Sequence, residues 1–484
     1  MSMQTPYRAD IDGLRALAVL PVIAFHSGIP FLQGGYVGVD VFFVISGFLI
    51  GGIVHSEISG GIFSLTKFYM RRIVRLGPAL IAMLTLTLIS TSLLYDPRDF
   101  DGFGKELFFS SLGLSNLHYG MGTDYFQPKA FISPLIHTWS LGVEEQFYFL
   151  WPITALVIMR VCGNALLPFI FLLILISLAF SNYLIAIDSS WSYFSPFSRA
   201  FELFIGVFYA ILCARRSSEN AQILGRLSRE LVAVLCILTI FTCFFVFDNA
   251  TRFPGWLALI PCVATLGLLA TSNSVVAKKV LSNRLLVGVG LISYPMYLVH
   301  QPTIAIFDYL NIKLSTYYIF ICVLGFSGGL SYVIYRYMEK PAARWHRNSL
   351  AQNDGFVITK PAMALFFVLL AVATCGLLIA KLNGIPQRIA YLNPYAAGVV
   401  TSYESNFHER YTRGLHNFGG VHRAQVLLVG DSMVQGYVVP FEEAFNISRD
   451  HISVVSRGGC VLLKGTTYKD VFADISCDEL RTTL

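Results

Sequence analysis

Apolar runs of about 20 residues recur along most of the chain, and short polar loops separate them. An α-helix of that length, with its rise of 1.5 Å per residue, matches the hydrocarbon thickness of a bilayer. The pattern predicts eleven membrane-spanning helices, so most of the chain is expected to form an all-α polytopic membrane domain. The predicted spans lie near 11–28, 36–56, 74–95, 138–159, 165–187, 197–214, 230–248, 255–273, 285–308, 315–337 and 362–381.

The composition of the chain agrees with this pattern. Hydrophobic residues make up 55% of the 484 residues and charged residues 13%, and the mean hydropathy is +0.62. A soluble domain carries about twice that share of charge, so a soluble globular fold for the whole chain is excluded. The net charge of +6 reflects loop lysines and arginines and does not indicate a nucleic-acid partner.

Lysine and arginine are concentrated in alternate loops. The basic loops are 57–73, 215–229, 274–284 and 338–361. Because basic loops stay in the cytoplasm, the N-terminus is expected to be cytoplasmic. The apolar stretch 105–117 is interpreted as re-entrant or interfacial, since counting it as a span would break this sorting. No cleavable signal peptide is expected, because the first span lacks a small-residue cleavage pattern.

An odd number of spans places the tail, 382–484, on the extracytoplasmic side. The tail is polar, and its segment AQVLLVGDSMVQG at 424–436 predicts an apolar strand that runs into a turn at Asp431 and Ser432. A strand followed by such a turn is typical of a soluble α/β domain. The sequence therefore predicts a change from membrane helices to an exported domain in this part of the chain.

Charged and titratable side chains inside the predicted spans point to a functional site, because such groups are costly in a bilayer. The first span carries Arg15 and His26, which are eleven residues apart and share one helical face at a separation of about 16 Å. The third span begins with Arg71, Arg72 and Arg75. Arg72 and Arg75 lie one turn apart, and such a pair either anchors a helix to anionic lipid or grips phosphates.

Three further spans carry polar groups at helical spacing. In the fourth span His137 and Glu144 share a face about 10 Å apart, and Glu145 is rotated away from them. In the sixth span Arg199 and Glu202 lie one turn apart, as an intrahelical ion pair would. In the ninth span the polar residues follow one face at i, i+4 and i+7, and they are Ser293, Tyr297 and His300.

The predicted topology sorts these groups into two layers. The outer layer holds His26, Asp40, His137, Glu144, Arg199, Glu202, Tyr297 and His300, and the inner layer holds Arg15, Arg71, Arg72 and Arg75. An outer layer of histidines and carboxylates suits proton abstraction. An inner layer of arginines suits an anionic cytoplasmic donor. The residues alone therefore predict either group transfer across the bilayer or proton-coupled transport.

At these residues the chain resembles the acyltransferase-three family of integral membrane O-acyltransferases. The matching segments, in order, are LRALAVLPVIAFH at 14–26, GGYVGVDVFFVISGFLI at 34–50, RRIVRLGPAL at 71–80, HTWSLGVEEQFYFLWP at 137–152, ISYPMYLVHQP at 292–302 and YMEKP at 337–341. The resemblance covers about 8–345. It implies a cytoplasmic acyl-CoA donor, usually acetyl-CoA, no metal, and a cell-surface carbohydrate acceptor such as O-antigen, exopolysaccharide or peptidoglycan.

The resemblance also implies roles for individual residues. Arg15 and His26 would be the catalytic pair, with His26 acting as general base on a sugar hydroxyl or first accepting the acyl group itself. Glu144 or a neighbouring group would orient the imidazole. Coenzyme A phosphates would lie near Arg72 and Arg75. Further residues expected to assist are Arg71 at the donor, and His137, Trp139, Glu145, Arg199, Glu202, Tyr297 and His300 at the acceptor.

The tail resembles the start of an SGNH hydrolase-like domain, in which Asp431 and Ser432 would orient or bind substrate. No histidine follows His451, and the chain ends about fifty residues after Ser432. A serine nucleophile needs an adjacent base that a third group orients. The tail is therefore expected to be a partial α/β domain, and a tail-driven esterase does not fit unless another chain supplies the missing histidine.

The sequence thus predicts a membrane domain over 1–345, a linker over 346–390 that contains the helix 362–381, and a partial SGNH-like extracytoplasmic domain over 391–484. The expected function is O-acetylation of an extracytoplasmic carbohydrate by a protein of the bacterial cytoplasmic (inner) membrane. A proton-coupled transporter or flippase of a lipid-linked glycan would use the same histidines and carboxylates. The arginine pair of the third span discriminates these two functions only weakly.

Overall fold

The structure is a computed structural model with two compact units. The described residues are 7–122, 125–126, 133–161, 163–215, 226–310, 312, 314–351 and 360–388, together with the strands 413–417, 426–430 and 452–457. One unit, called the membrane unit below, contains Met1–Leu94 and Gly102–Lys381. The other unit contains Tyr95–Asp101 and Leu382–Leu484.

The described residues fold mostly into α-helices. These are α1 (Ala9–His26), α2 (Gly38–Ser59), α3 (Leu65–Leu94), α4 (Pro97–Ser111), α5 (Ser115–Gly120), α6 (Thr138–Val161), α7 (Leu166–Ile187), α8 (Ser189–Phe194), α9 (Pro196–Arg215), α10 (Arg226–Val246), α11 (Gly255–Ala270), α12 (Val275–Val280), α13 (Arg284–Leu291), α14 (Ser293–Tyr309), α15 (Thr316–Ile334), α16 (Lys340–Ala351) and α17 (Lys360–Lys381). Short 3₁₀ segments lie at Gln33–Val37 and Gly163–Ala165, and a π-helical turn lies at Tyr335–Glu339.

Seven helical stretches in the described part of the chain are long and apolar enough to cross a bilayer. They are Gln33–Ser59, Leu65–Leu94, Leu166–Ile187, Ser189–Arg215, Leu227–Val246, Thr316–Asn348 and Lys360–Lys381. The protein is therefore a multi-pass membrane protein, as its sequence predicts. The other four predicted spans are helical too, but α1 and α6 carry several charges, and α11, α13 and α14 are short. The number eleven stays a prediction.

The charged helix α1 is the most enclosed element of the membrane unit. It packs against α2, α13 and α14, and most of its side chains are buried, including Asp10 and Asp12. A helix that is surrounded by protein rather than lipid does not need an apolar surface, and its polar groups can meet partners on neighbouring helices. Enclosure of α1 therefore explains how Arg15 and His26 occur in one apolar segment.

The helices α2 and α9 cross at very short range. A side chain at Gly47 would collide with the backbone of Leu203, and one at Gly206 would collide with the carbonyl of Val44. Small residues permit this kind of backbone contact between membrane helices. The crossing brings Asp40 of α2 beside Arg199 of α9.

The stretch 105–117 does not form one long helix. It lies in α4, which has 15 residues, and in α5, which has six, and the chain turns between them at Gly113 with a positive φ of 68°. Neither helix is long enough to cross a bilayer. The geometry agrees with a re-entrant or interfacial segment, and its position relative to lipid stays a prediction.

Three strands lie in the second unit. They are β1 (Arg413–Asn417), β2 (Val426–Gly430) and β3 (Ile452–Arg457), in the order β1-β3-β2. The central strand β3 runs antiparallel to β1 and parallel to β2. The predicted apolar strand before the Gly-Asp-Ser turn is confirmed as β2. Asp431, Ser432 and His451 lie outside the described residues, so the SGNH-like assignment stays a prediction.

Candidate active site

Three histidines that lie far apart in the sequence meet inside the membrane unit. His26 is the last residue of α1, His137 directly precedes α6, and His300 lies in the middle of α14. The ring centroids of His26 and His300 are 5.0 Å apart, and those of His137 and His300 are 5.4 Å apart. All three side chains are buried. The sequence predicts a similar depth for these residues, and the structure brings them into one cluster.

The hydrogen bonds of this cluster determine which nitrogen of His26 carries the lone pair. His300 Nδ1 lies 2.6 Å from the carbonyl oxygen of Tyr297, which can only accept, so Nδ1–H donates. With both rings neutral, His300 Nε2 then accepts from Nδ1–H of His26, at 2.9 Å. The lone pair of His26 therefore lies on Nε2. The carbonyl of Tyr297, through its hydrogen bond to His300, thus determines the tautomer of His26.

The hydroxyl of Tyr125 contacts this lone pair. It lies 2.7 Å from Nε2 of His26 and donates to it. The Tyr125 ring stacks on Tyr193, with centroids 4.4 Å apart. The lone pair of His26 is thus already in contact with a hydroxyl group. The sequence analysis missed Tyr125 because it lies in a connection between helices, where no periodicity links it to residue 26.

Tyr297 and His137 are two more predicted residues that lie in this cluster. The Tyr297 hydroxyl donates to the backbone carbonyl of His137 at 2.9 Å and lies 2.7 Å from Ser140 Oγ. Tyr297 therefore links α14 to the start of α6. The ring nitrogens of His137 make no hydrogen bond of good geometry with described residues, although the backbone of Leu298 is close enough to interact electrostatically.

Glu144 occupies a different place from the one that the sequence predicts. Its carboxylate accepts hydrogen bonds from Ser46 Oγ at 3.1 Å and from Tyr148 Oη at 2.7 Å. Its charge interacts with Arg15 and Arg75. Glu144 therefore belongs with the arginines, and the residue that contacts Nδ1 of His26 is His300. The expected orienting role passes from Glu144 to His300. The sequence predicts that Glu145 is rotated away from His137 and Glu144. In the structure the Glu145 carboxylate lies beside Gly113.

A group of arginines lies near the first turns of α1, toward the opposite end of this helix from His26. Arg15 pairs with Asp12, one turn earlier, at 3.5 Å. Asp12 also accepts a hydrogen bond from Tyr7, at 2.6 Å, and this bond raises the pKa of the Tyr7 hydroxyl to about 12. The charge of Arg75 repels both Arg15 and Arg72. Like charges held this close favour binding of an anion between them.

The three arginines of α3 differ in what they contact. Arg71 donates to both carboxylate oxygens of Glu57, at 2.8 and 2.9 Å. The guanidinium of Arg72 lies over the ring of Phe68, and its Nε has no hydrogen-bond partner among the described residues. Within that part of the chain, Arg72 and Arg75 form no ion pair. They therefore fit the expected phosphate contact better than Arg71, whose charge Glu57 already neutralises.

The residues Asp40, Arg199 and Glu202 form a closed ionic cluster. Arg199 lies 3.2 Å from Asp40 and 3.2 Å from Glu202, and all three side chains are fully buried. Four aromatic rings surround the guanidinium with centroids 5.3–5.5 Å away, and they belong to Phe43, Trp139, Tyr193 and Phe253. The structure thus gives Arg199, Glu202 and Trp139 contacts with one another, whereas the sequence predicts contact with an acceptor.

The same cluster contains the one candidate metal-ligand set found among the described residues. Oxygen and sulfur atoms of Asp40, Glu202 and Cys262 lie within 4.8 Å of one another. The guanidinium of Arg199 already occupies the space between the two carboxylates. A metal cation there would meet a fixed positive charge, so this donor set is a poor metal site.

A cavity reaches His26 from the end of α1. Its volume is about 500 Å³, which is in the range of small-molecule sites. Its walls combine apolar residues, among them Phe25, Ile304 and Phe307, with polar ones, among them Ser27 and Asp308. Of the three histidines, His26 lines this cavity, so a ligand that enters it can reach His26.

The membrane unit thus combines a pair of buried, hydrogen-bonded histidines with a separate group of arginines. Residues 8–336 match the model of the acyltransferase domain family. The match covers more than half of the chain, and the chain belongs to this family.

Two relatives are similar over most of the membrane unit. The peptidoglycan O-acetyltransferase OatA of Listeria monocytogenes is 31% identical over 319 residues, which are 62% of this chain and 50% of the relative. The O-acetyltransferase OatA of Staphylococcus aureus is 31% identical over 349 residues, which are 69% of this chain and 57% of the relative. The chain therefore spans little more than half the length of these relatives. No solved structure matches it.

Proposed function

We propose that the protein is a membrane O-acetyltransferase, which moves an acetyl group from cytoplasmic acetyl-CoA to a hydroxyl of an extracytoplasmic cell-wall carbohydrate. The observation that carries this proposal is the tautomer of His26, whose Nε2 lone pair faces a hydroxyl at 2.7 Å. The family match supports acyl transfer, and the similarity to the peptidoglycan O-acetyltransferase of Listeria monocytogenes supports a cell-wall acceptor.

In the proposed reaction His26 Nε2 removes the proton of the acceptor hydroxyl. The alkoxide oxygen attacks the thioester carbonyl, the C–S bond breaks, and the proton returns to the coenzyme A thiolate. His300 accepts from Nδ1–H of His26 throughout and stabilises the imidazolium that forms. A general base of this kind contributes about 10²–10⁴-fold to the rate.

Arg15 does not contact the thioester carbonyl that is attacked; it contacts another part of the donor. Eleven residues along α1 separate it from His26, or about 16 Å along the helix axis. Arg15 is therefore too distant to contact the reacting atoms. It would bind the donor between the thioester and the phosphates, and Arg72 and Arg75 would hold the phosphates. The long, thin arm of coenzyme A suits a path of this length.

The test is the ester-linked acetate of envelope glycan from cells with and without the protein. Wild-type protein should deposit acetate that mild base releases, and label from [¹⁴C]acetyl-CoA should reach glycan in isolated membranes. His26→Ala should abolish both at equal protein level. Label transfer that does not depend on the protein would refute the proposal. Transbilayer movement of a lipid-linked glycan without acetylation would support the transporter alternative.

A further inference from the structure

The cavity beside His26 runs from exposed residues, which form its mouth, to buried residues, which form its floor: Gln33, Asn249 and Asp308 are exposed, whereas His26 and Ser27 are buried. On α14, Asp308 lines the cavity, and the buried His300 lies eight residues earlier. At 1.5 Å per residue these two positions are about 12 Å apart along the helix. His26 itself lines the cavity, and the segment that follows α1 forms one wall. A ligand that fills the space would therefore extend from the exposed mouth to the candidate base.

The floor of the cavity contains an unsatisfied polar group. The hydroxyl of Ser27 is buried and has no hydrogen-bond partner among the described residues. It is adjacent to His26 in the chain and lines the same space. A buried hydroxyl without a partner costs free energy, and a ligand that supplies the missing hydrogen bond recovers it.

The walls of the cavity distinguish between ligand classes. The polar residues toward the mouth are Gln33, Asn249 and Asp308, which offer amide and carboxylate groups to hydroxyls. Phe307 and Ile304 offer apolar surface to the C–H face of a sugar ring. Among the described residues that line the cavity there is one aspartate, Asp308, and no lysine or arginine, so the highly anionic coenzyme A does not fit here.

We propose that this cavity is the acceptor site and binds an uncharged sugar unit, whose reacting hydroxyl displaces the Tyr125 hydroxyl from His26 Nε2. Ser27 and Asp308 hold the sugar at the floor and at the mouth. The proposal rests on the proposed O-acetyl transfer and identifies the surface that recognises the acceptor. It divides the protein into a donor side around Arg72 and Arg75 and an acceptor side around Asp308.

The experiment compares four variants of the full chain in cells. Asn249→Trp fills the mouth, and Asp308→Ala and Ser27→Ala remove hydrogen-bond partners. Leu310→Trp is the matched control, because Leu310 caps the same helix as Asp308, is half-exposed and does not line the cavity. Two quantities are measured, the ester-linked acetate of envelope glycan and the rise in melting temperature of the purified protein with acetyl-CoA.

The expected result is a loss of acetylation without a loss of donor binding. Asn249→Trp should lower glycan acetate at least tenfold, and Asp308→Ala and Ser27→Ala should each lower it by about tenfold or less, the range for one lost hydrogen bond. All three should keep the melting shift with acetyl-CoA, and Leu310→Trp should match wild type in both measurements.

Other outcomes overturn the proposal in distinguishable ways. Wild-type acetate in Asn249→Trp would show that the acceptor enters elsewhere. Loss in Asn249→Trp with full activity in Asp308→Ala and Ser27→Ala would indicate an apolar occupant such as a lipid chain. If a variant also loses the melting shift, the isosteric Asp308→Asn decides between misfolding and acceptor loss. If wild-type protein deposits no acetate, the proposed function itself fails, and the acceptor site fails with it.

Discussion

The chemistry of the candidate site depends on the direction of one hydrogen-bond chain. It starts at the backbone carbonyl of Tyr297, passes through His300 and ends at His26 Nε2. A backbone carbonyl can only accept, so the fold fixes the direction of this chain while both rings are neutral. The imidazole of His26 is thereby held in the tautomer that can accept a proton from a hydroxyl.

A substitution of His300 tests this positioning role. His300→Phe keeps the aromatic volume but removes the acceptor for His26 Nδ1–H, so the rate of acetyl transfer should fall by roughly 10–100-fold, the range for loss of an orienting partner. His300→Gln should recover much of the rate, because its amide oxygen can take the place of Nε2. Measurement of transfer rate against pH for both variants checks the prediction. Equal rates in His300→Phe and wild type would contradict it.

Residue-scale prediction from sequence succeeded where helical spacing carries the information. Arg15 and His26, and also His137, could be selected because titratable groups in an apolar run are conspicuous. Spacing along one helix does not show which neighbouring helix a side chain meets. For that reason the sequence predicts only that Glu144 or a neighbouring group orients the imidazole of His26, and it gives no signal for Tyr125, which lies between helices.

At the scale of elements, the arginines of α3 show how a neighbouring helix alters a motif. Arg71 is held by Glu57 from the end of α2, whereas Arg72 and Arg75 have no such partner in the described part of the chain. Three arginines in one short segment are thus not equivalent. The two that remain unpaired are the ones available to an anionic donor.

The donor assignment predicts a difference among these arginines. Arg72→Gln and Arg75→Gln should each raise the KM for acetyl-CoA by about tenfold, because each removes a charge-assisted contact with a phosphate. Arg71→Gln is the matched control and should change this KM much less. Kinetics at saturating acceptor measure the effect. The assignment is wrong if all three variants behave alike, or if only the KM for the acceptor moves.

The ionic cluster between α2 and α9 makes a second prediction at this scale. Arg199→Met leaves two buried carboxylates without a cation, which should cost about 3–5 kcal/mol of stability. Arg71→Met breaks the partly exposed pair with Glu57, which should cost about 0–1 kcal/mol. Thermal unfolding of both variants in detergent compares them. Similar melting temperatures would mean that the cluster around Arg199 is not a structural link.

At the scale of the whole molecule, the apolar pattern predicts lipid-facing helices better than enclosed ones. The seven long apolar stretches were all found from the sequence, because their length and composition must match the bilayer. The helices α1 and α6 each carry three charged residues, and α1 is largely enclosed by protein, so hydropathy alone underestimates them. The number of crossings therefore depends on helices that are more polar than an ordinary lipid-facing span.

Reporter fusions determine the orientation on which the donor and acceptor sides depend. A reporter that fluoresces only in the cytoplasm should be silent when fused after residue 400, and bright when fused within the basic loop 274–284.

Fluorescence after residue 400 has two explanations, and the fusion within 274–284 distinguishes them. If 105–117 crosses the membrane, every later loop changes side and the fusion within 274–284 becomes silent. If instead 362–381 does not cross, the fusion within 274–284 stays bright. In the first case Asp308 would lie on the opposite side of the membrane from Gln33, although both line the cavity, so the separation of donor and acceptor would have to be abandoned. In the second case that separation is kept, and only the tail changes side.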